Sequence, residues 1–313
     1  MTAGIAAAEV TFSGTAKFGY NDTDHASGAS ASEPFSDMDL NIAFSKELDN
    51  GYTAAASVEL DYADGNQGND ITATDALISL TNADSGIHYG DTKHAAENAW
   101  SSVGSMDNDA FRAADGEMVT RADMTLGGAK VSVSLGDDTN LTTATPPGTE
   151  TDYMSLGITG TAGAFTYALA AQNANTAWLD NDDNTAASQL STTGVRVSTT
   201  WGGATVALGH STNNNGGSTG VEVSYPMGAL TTTASYVAED ATGAKANWDV
   251  KVVYAEGAMG VTVATDESDD WNVDVSYDMG NGMNLFIGAD DGGKDTYACL
   301  SYDLGGGASL LAS

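Results

Sequence analysis

The chain lacks most of what holds exported or soluble folds together. Its 313 residues include a single cysteine, Cys299, so no intramolecular disulfide can form and the framework has to come from backbone pairing. Only four prolines occur. No window approaches the roughly eighteen uninterrupted apolar residues of a transmembrane helix. Segments with a helical period are missing too, so nothing is available to cover a sheet with a helical layer. Basic residues are scarce: ten Lys and Arg against forty-three Asp and Glu leave a formal charge of −33. That field opposes phosphate backbones and excludes nucleic acid as a partner. Catalytic arrangements are likewise absent. His25, His88, His94 and His210 lie in unrelated segments, one cysteine makes no metal pattern, and the Gly-rich turns do not open helices as a phosphate-binding loop would.

What the chain does have is a period of two. In EVTFSGTAKFGY, Val10, Phe12, Ala16, Phe18 and Tyr20 take one face, and Glu9, Thr11, Ser13, Thr15 and Lys17 the other. That is a strand with one apolar and one polar side. DMDLNIAFSKEL repeats it with Met38, Leu40, Ile42 and Phe44 against Asp37, Asp39, Asn41 and Ser45. The pattern recurs, for example at residues 87–91, 118–126, 129–136 and 165–172, and ends at 308–312, giving about nineteen candidate strands. High net charge with 41% apolar residues could also describe disorder, but twelve Tyr and five Trp in register with Val and Leu argue for a fold.

The connections alternate as well. Asn50-Gly51, Gly127-Gly128, Gly202-Gly203, Gly257, Gly280-Asn281-Gly282 and Gly305-Gly306-Gly307 are tight and Gly-rich, as hairpin turns are. Residues 21–34, 64–70, 137–152, 173–188, 211–218 and 239–246 read as long polar or acidic loops. Tyr225, Tyr277 and Tyr302 each stand at a strand end before a Gly-containing turn, and Trp201, Trp248, Trp271, Tyr52 and Tyr254 hold similar positions. Amphipathic rings at the ends of apolar-faced strands suit a membrane interface. The expectation is an all-β protein: a transmembrane antiparallel up-and-down β-barrel of about 16–20 strands with two inequivalent mouths. The opening MTAGIAAA reads as the end of an export signal, with Ala6-Ala7-Ala8 before Glu9. Residues 9–313 then form one barrel domain, which GASLLAS is expected to leave short of its last strand or strands.

One stretch breaks the alternation. Thr92–Gly116, TKHAAENAWSSVGSMDNDAFRAADG, carries Lys93, His94, Glu97, Asp107, Asp109, Arg112 and Asp115, with Trp100 and Phe111 to pack it. A connection this long is usually functional or disordered. It is read here as folding back inside the barrel and narrowing its channel. Asp107, Asp109 and Asp115, with Glu117 at the exit, are the candidate constriction acids, and Lys17, Arg121 and Arg196 the candidate opposing basic wall.

The opening EVTFSGTAKFGYND, the long loop after the fifth strand and the late SYDLGGGAS resemble the general diffusion porins of alphaproteobacteria, the type known from purple photosynthetic bacteria. The resemblance implies a homotrimer in the outer membrane of a Gram-negative bacterium, in contact with its lipid and lipopolysaccharide. The third external loop would form the constriction, and small hydrophilic solutes would diffuse through a water-filled channel without catalysis.

Charge position refines this expectation. Lys17, Arg121, Lys130, Arg196 and Lys251 share polar-face parity with Asp39, Glu59, Asp61, Asp75, Asp123, Glu222, Asp249 and Asp274. On a lipid face near midplane each Lys or Arg would cost about 2–4 kcal/mol. Facing water, the excess of acids favours cations weakly. No cofactor is required. Asp107 and Asp109 could hold Ca²⁺ through oxygen ligands, although they lack EF-hand spacing and a solvated acidic loop is the alternative. The competing reading is a secreted or surface-attached, acidic, Ca²⁺-binding structural or adhesive β-protein. That class predicts repeats at a fixed period, and none occurs. A barrel enzyme or specific transporter has no catalytic cluster to support it.

Overall fold

The computed structural model describes residues 9–24, 30–63, 72–111, 118–137, 153–173, 191–241 and 243–313. Two compact units emerge from the contacts. The first holds β1 (Glu9–Asp24), β2 (Ser30–Glu47), β3 (Thr53–Ala63), β4 (Thr72–Thr81), β5 (Ser85–Gly90), β6 (Met118–Leu126) and β7 (Ala129–Asp137). Neighbours in sequence among these seven strands, from β1–β2 to β6–β7, pair antiparallel. β8 (Tyr153–Ala162) contributes residues to both units.

The second unit begins its strands with β9 (Phe165–Gln172), β10 (Thr192–Trp201), β11 (Ala204–Asn213), β12 (Gly216–Met227) and β13 (Leu230–Glu239). It continues with β14 (Asn247–Glu256), β15 (Met259–Asp266), β16 (Trp271–Gly280), β17 (Met283–Asp290), β18 (Asp295–Gly305) and β19 (Ala308–Ala312). From β9 onward the pairing is again antiparallel and in sequence order. The strand expected at the fifth position and the one expected at residues 129–136 are β5 and β7, within a residue or two of the expected ends.

Burial is inverted relative to a water-soluble fold. Among the described residues, nine apolar residues are buried, against eleven polar or charged ones that include Ser132, Ser134, Ser211, Ser218 and Ser235. Large apolar side chains point the other way: Phe12, Ile78, Leu208 and Trp201 are 67%, 60%, 57% and 81% exposed. Along β11 the switch runs residue by residue, with Ala207 and Ser211 buried while Leu208 between them is open. An apolar face left open on most of the strands is what a bilayer, not water, stabilises. No helix among the described residues is long and apolar enough to cross a membrane.

Two expected loops turn out shorter. Residues 211–218 do not form a long connection: β11 and β12 pair as far as Asn213 and Gly216, leaving a two-residue Asn214-Asn215 turn. The Asn213 side chain accepts the Asn215 N–H at 2.8 Å, and the Thr212 hydroxyl donates to the Gly216 carbonyl at 3.1 Å. The polar composition that suggested a loop has another cause, since Ser211 and Ser218 are buried and Ser218 is bonded to Asn108 of a separate segment of the chain. Likewise β1 and β2 extend to Asp24 and Ser30 into the stretch expected as a loop at 21–34. The helix-free expectation also needs one correction. A single turn, α1 (Ala95–Ala99), forms inside the long connection after β5.

Aromatic side chains compensate for glycines in the ladders. Tyr297 faces Gly288 across β17–β18 and lies over it, its hydroxyl reaching Asp274 on β16 at 2.7 Å. Tyr167 covers Gly160 in the same way. Such rings fill the gap an unsubstituted strand position leaves.

Candidate functional site

The connection after β5 is a docked structure rather than a free loop. Its first part lies on β6–β8 within the first unit. α1 opens with backbone N–H groups that have no intrahelical partner, and serines of neighbouring strands supply it. Ala95 N–H donates to Ser134 Oγ at 2.9 Å and Ala96 N–H to Ser155 Oγ at 3.1 Å, while the two hydroxyls share a hydrogen bond of 2.7 Å. His94 is fully buried with its Nδ1 3.4 Å from Ser134 Oγ. Just before it, the Lys93 carbonyl accepts a hydrogen bond from Arg121 Nη1 at 2.8 Å.

The later part, Ala99–Phe111, belongs to the second unit and lies on the polar face of β9–β14. Trp100 stacks on Gly194 of β10; its indole N–H donates to Asp109 Oδ2 at 3.0 Å, and its ring meets Phe111 at 5.4 Å between centroids. This closes the segment into a small ring of its own. Val103 is completely buried, set into the space left by Gly209 and Gly220, and with Met106, Ala207 and Val237 it forms an apolar cluster that Trp100 borders. A Cβ at Gly220 would stand 2.5 Å from the Val103 carbonyl oxygen, so only glycine admits the loop backbone there. Beyond Met106, the Asn108 N–H donates to Ser218 Oγ at 2.9 Å and its Nδ2 to Glu239 at 2.9 Å. The Ala110 carbonyl accepts from the Thr192 hydroxyl at 3.0 Å.

The expected site residues have different fates. Asp107 is exposed, its carboxylate accepting from Asn247 Nδ2 at 3.1 Å. Asp109 is half-buried and committed to Trp100. Asp115 and Glu117 fall outside the described residues. Lys17 pairs across β1–β2 with Asp37 at 3.1 Å. Arg121 is buried and pairs with Asp123 at 3.3 Å, a carboxylate that His88 also approaches to 3.3 Å. Arg196 has no carboxylate partner among the described residues. Its Nη1 reaches Ser198 at 3.5 Å, and its buried Nε has no hydrogen-bond partner among the described residues. Arg196 shares the second unit with Asp107 and Asp109, whereas Lys17 and Arg121 belong to the first.

Sequence reasoning missed Ser134, Ser155, Gly194, Gly209, Ser218, Gly220, Glu239 and Asn247 as residues that hold this segment. A signal existed: among the charged polar-face positions of these strands stand small ones, Ser134, Ser155, Gly194, Gly209, Ser218 and Gly220, where β1–β3 carry Lys17, Asp37, Asp39, Glu59 and Asp61. There, carboxylate oxygens of Asp37, Asp39 and Asp61 lie within 4.8 Å of one another, and the Thr15 hydroxyl donates to Asp39 at 2.8 Å.

Antiparallel strands in sequence order, an apolar outer face and a docked connection on the polar side define a transmembrane up-and-down β-barrel of the channel-forming class. Two solved structures share the fold. One, a mutant of Rh. blastica porin with three substitutions, is 17% identical, superposes with a TM-score of 0.59 and covers 85% of this chain and 98% of its own. The other, a Rhodopseudomonas blastica porin triple mutant, is 16% identical, with a TM-score of 0.57 and coverage of 82% and 94%. No curated protein matches the chain in sequence. The model of the Gram-negative porin family matches residues 1–313, and the chain belongs to that family. It is an outer-membrane diffusion channel.

Proposed function

We propose that the docked segment after β5 is the constriction of this channel, and that the polar face of the strands lines the path of small hydrophilic solutes. The observation that carries the reading is the burial of Val103, Met106 and Asn108 against strand positions reduced to Gly, Ala and Ser. A loop free in solvent would leave those positions no reason to be small. Passage needs no bond-making, and the protein acts by width and field alone. With forty-three acids against ten bases, the channel favours cations weakly, and less so at high salt, where screening shortens the reach of each carboxylate.

The basic wall is proposed to centre on Arg196, with Lys17 and Arg121 weakened as contributors by their local ion pairs. Asp115 and Glu117 stay in the proposed acidic set with Asp107 and Asp109. No cofactor is needed. The protein donors already on Asp107 and Asp109 weigh against a Ca²⁺ ion there. The apolar outer face meets outer-membrane lipid and lipopolysaccharide, and part of it meets two further copies in a homotrimer.

The test is deletion of Ser102–Ala113 in the full-length channel, reconstituted in planar bilayers. Single-channel conductance should rise and larger sugars should pass while the heat-modifiable gel mobility of a folded barrel persists. Unchanged conductance and size exclusion would remove the segment from the permeation path.

A further inference from the structure

We infer that Glu239 is the positioning residue of the docked loop, and that Asp107, the carboxylate it holds in place, is the loop acid that sets ion preference. The inference rests on the reading that this loop narrows the channel. Glu239 closes β13 and stands more than a hundred residues from the loop in sequence, yet both its oxygens are used. Oε1 accepts the Asp107 N–H at 3.0 Å. Oε2 accepts the Asn108 side-chain amide at 2.9 Å and the Ser218 hydroxyl at 2.5 Å. Ser218 Oγ in turn accepts the Asn108 N–H at 2.9 Å. The polarity of this network is fixed. Among the described residues, each group bonded to the Glu239 carboxylate is a donor, so position 239 must offer acceptors there, which a carboxylate does at both oxygens and an amide does not.

The network decides where Asp107 goes. Its N–H is tied to the strand side, which leaves its side chain on the exposed side of the segment. There Asn247 Nδ2 steadies it at 3.1 Å while also donating to the Ser105 carbonyl at 2.8 Å. Two consecutive loop residues are thus gripped from one strand end, and one exposed carboxylate is held at a defined place. Asp109, two residues on, is turned back on Trp100 and half-buried. Each of the two carboxylates accepts one N–H, but the exposed Asp107 acts on a passing ion more strongly than the half-buried Asp109. Glu239 itself carries charge, but three donors surround that charge.

The experiment uses the full-length channel in a KCl gradient, with cation-to-anion permeability read from the reversal potential. In parallel, Cys299→Ser with Ser105→Cys reports loop position by its rate of labelling with a membrane-impermeant maleimide. Asp107→Asn should lower the permeability ratio at least twofold without changing the labelling rate, and Asp109→Asn should lower it less. Glu239→Gln should lower the ratio as far as Asp107→Asn and also speed labelling several-fold, while Glu239→Asp, which keeps acceptors only, should recover part of both. If Glu239→Gln does not fold, Ser218→Ala, which removes the bridging hydroxyl, is read the same way. Wild-type labelling in these variants would overturn the positioning role. A larger loss from Asp109→Asn than from Asp107→Asn would overturn the choice of acid. Faster labelling combined with unchanged conductance on loop deletion would leave Glu239 as the loop's anchor and refute the constriction itself.

Discussion

Replacing Gly194 with alanine tests the docking geometry at its tightest apolar point. A Cβ at this position would lie 2.5, 2.7 and 2.8 Å from three carbons of the Trp100 ring. Carbon atoms prefer about 3.5–4.0 Å, so the ring would have to retreat by roughly 1 Å. It is not a flexible side-chain end that can swing aside. Its N–H is bonded to Asp109 at 3.0 Å and its face meets Phe111 at 5.4 Å. Overpacking of this kind costs about 1–3 kcal/mol. Escape of the ring would forfeit a hydrogen bond of about 1 kcal/mol net together with part of its apolar burial, a penalty of similar size. Gly194 does not have the positive φ that would penalise a side chain on its own. With the ring removed, alanine should therefore be neutral or stabilising by about 0.4–1 kcal/mol, because it restricts the unfolded chain. The assay is urea unfolding in lipid vesicles for Gly194→Ala, Trp100→Ala and the double variant. The sign should reverse between the two backgrounds, with a coupling of about 1–3 kcal/mol. An equal penalty in both would refute the contact and the docked loop position with it.

Three further outcomes follow from the same contacts. Ser134→Ala leaves the Ala95 N–H without its partner in a buried site and should destabilise by about 1–3 kcal/mol in urea unfolding; adding Ser155→Ala should cost less than the sum, since the two hydroxyls bond each other. Trp100→Phe keeps most of the packing but loses the bond to Asp109, so faster maleimide labelling at a cysteine placed at position 105 is expected, with smaller change than for Glu239→Gln. Asp291 holds the exposed Lys294 ammonium above its ordinary value of 10.5 through contacts of 2.9 and 3.0 Å. A raised folded-state value means this contribution is complete below the unfolded value and is lost as pH rises through the folded one, so protection of the β17–β18 connection, corrected for the base-catalysed intrinsic exchange rate, should fall only on the alkaline side.

Much of the fold was legible residue by residue. Whether Phe12 or Thr11 faces lipid is settled by a period of two that any strand imposes, and the energetic preference of each face is local. Hence the ends of β6 and β9, expected at residues 118–126 and 165–172, follow from the alternation, as does polar-face parity for Arg121 and Arg196. The Asn214-Asn215 hairpin was read as a loop because its flanking residues are small and polar. Their smallness serves a segment that crosses above them, and no local rule registers that.

A two-faced, all-β, membrane-spanning chain with one anomalous connection, rich in acids and carrying Trp100 and Phe111, is thus written in local pattern. What that connection touches is settled only in space. Asp107 and Glu239 are 132 positions apart, Ala96 and Ser155 59 apart, and no periodicity relates them. Such contacts arise when a segment and a strand face, each unremarkable alone, exclude water from one another. Once water is gone, every buried N–H has to find an acceptor on the opposing surface, and that surface is assembled from strands that only pairing in space brings side by side.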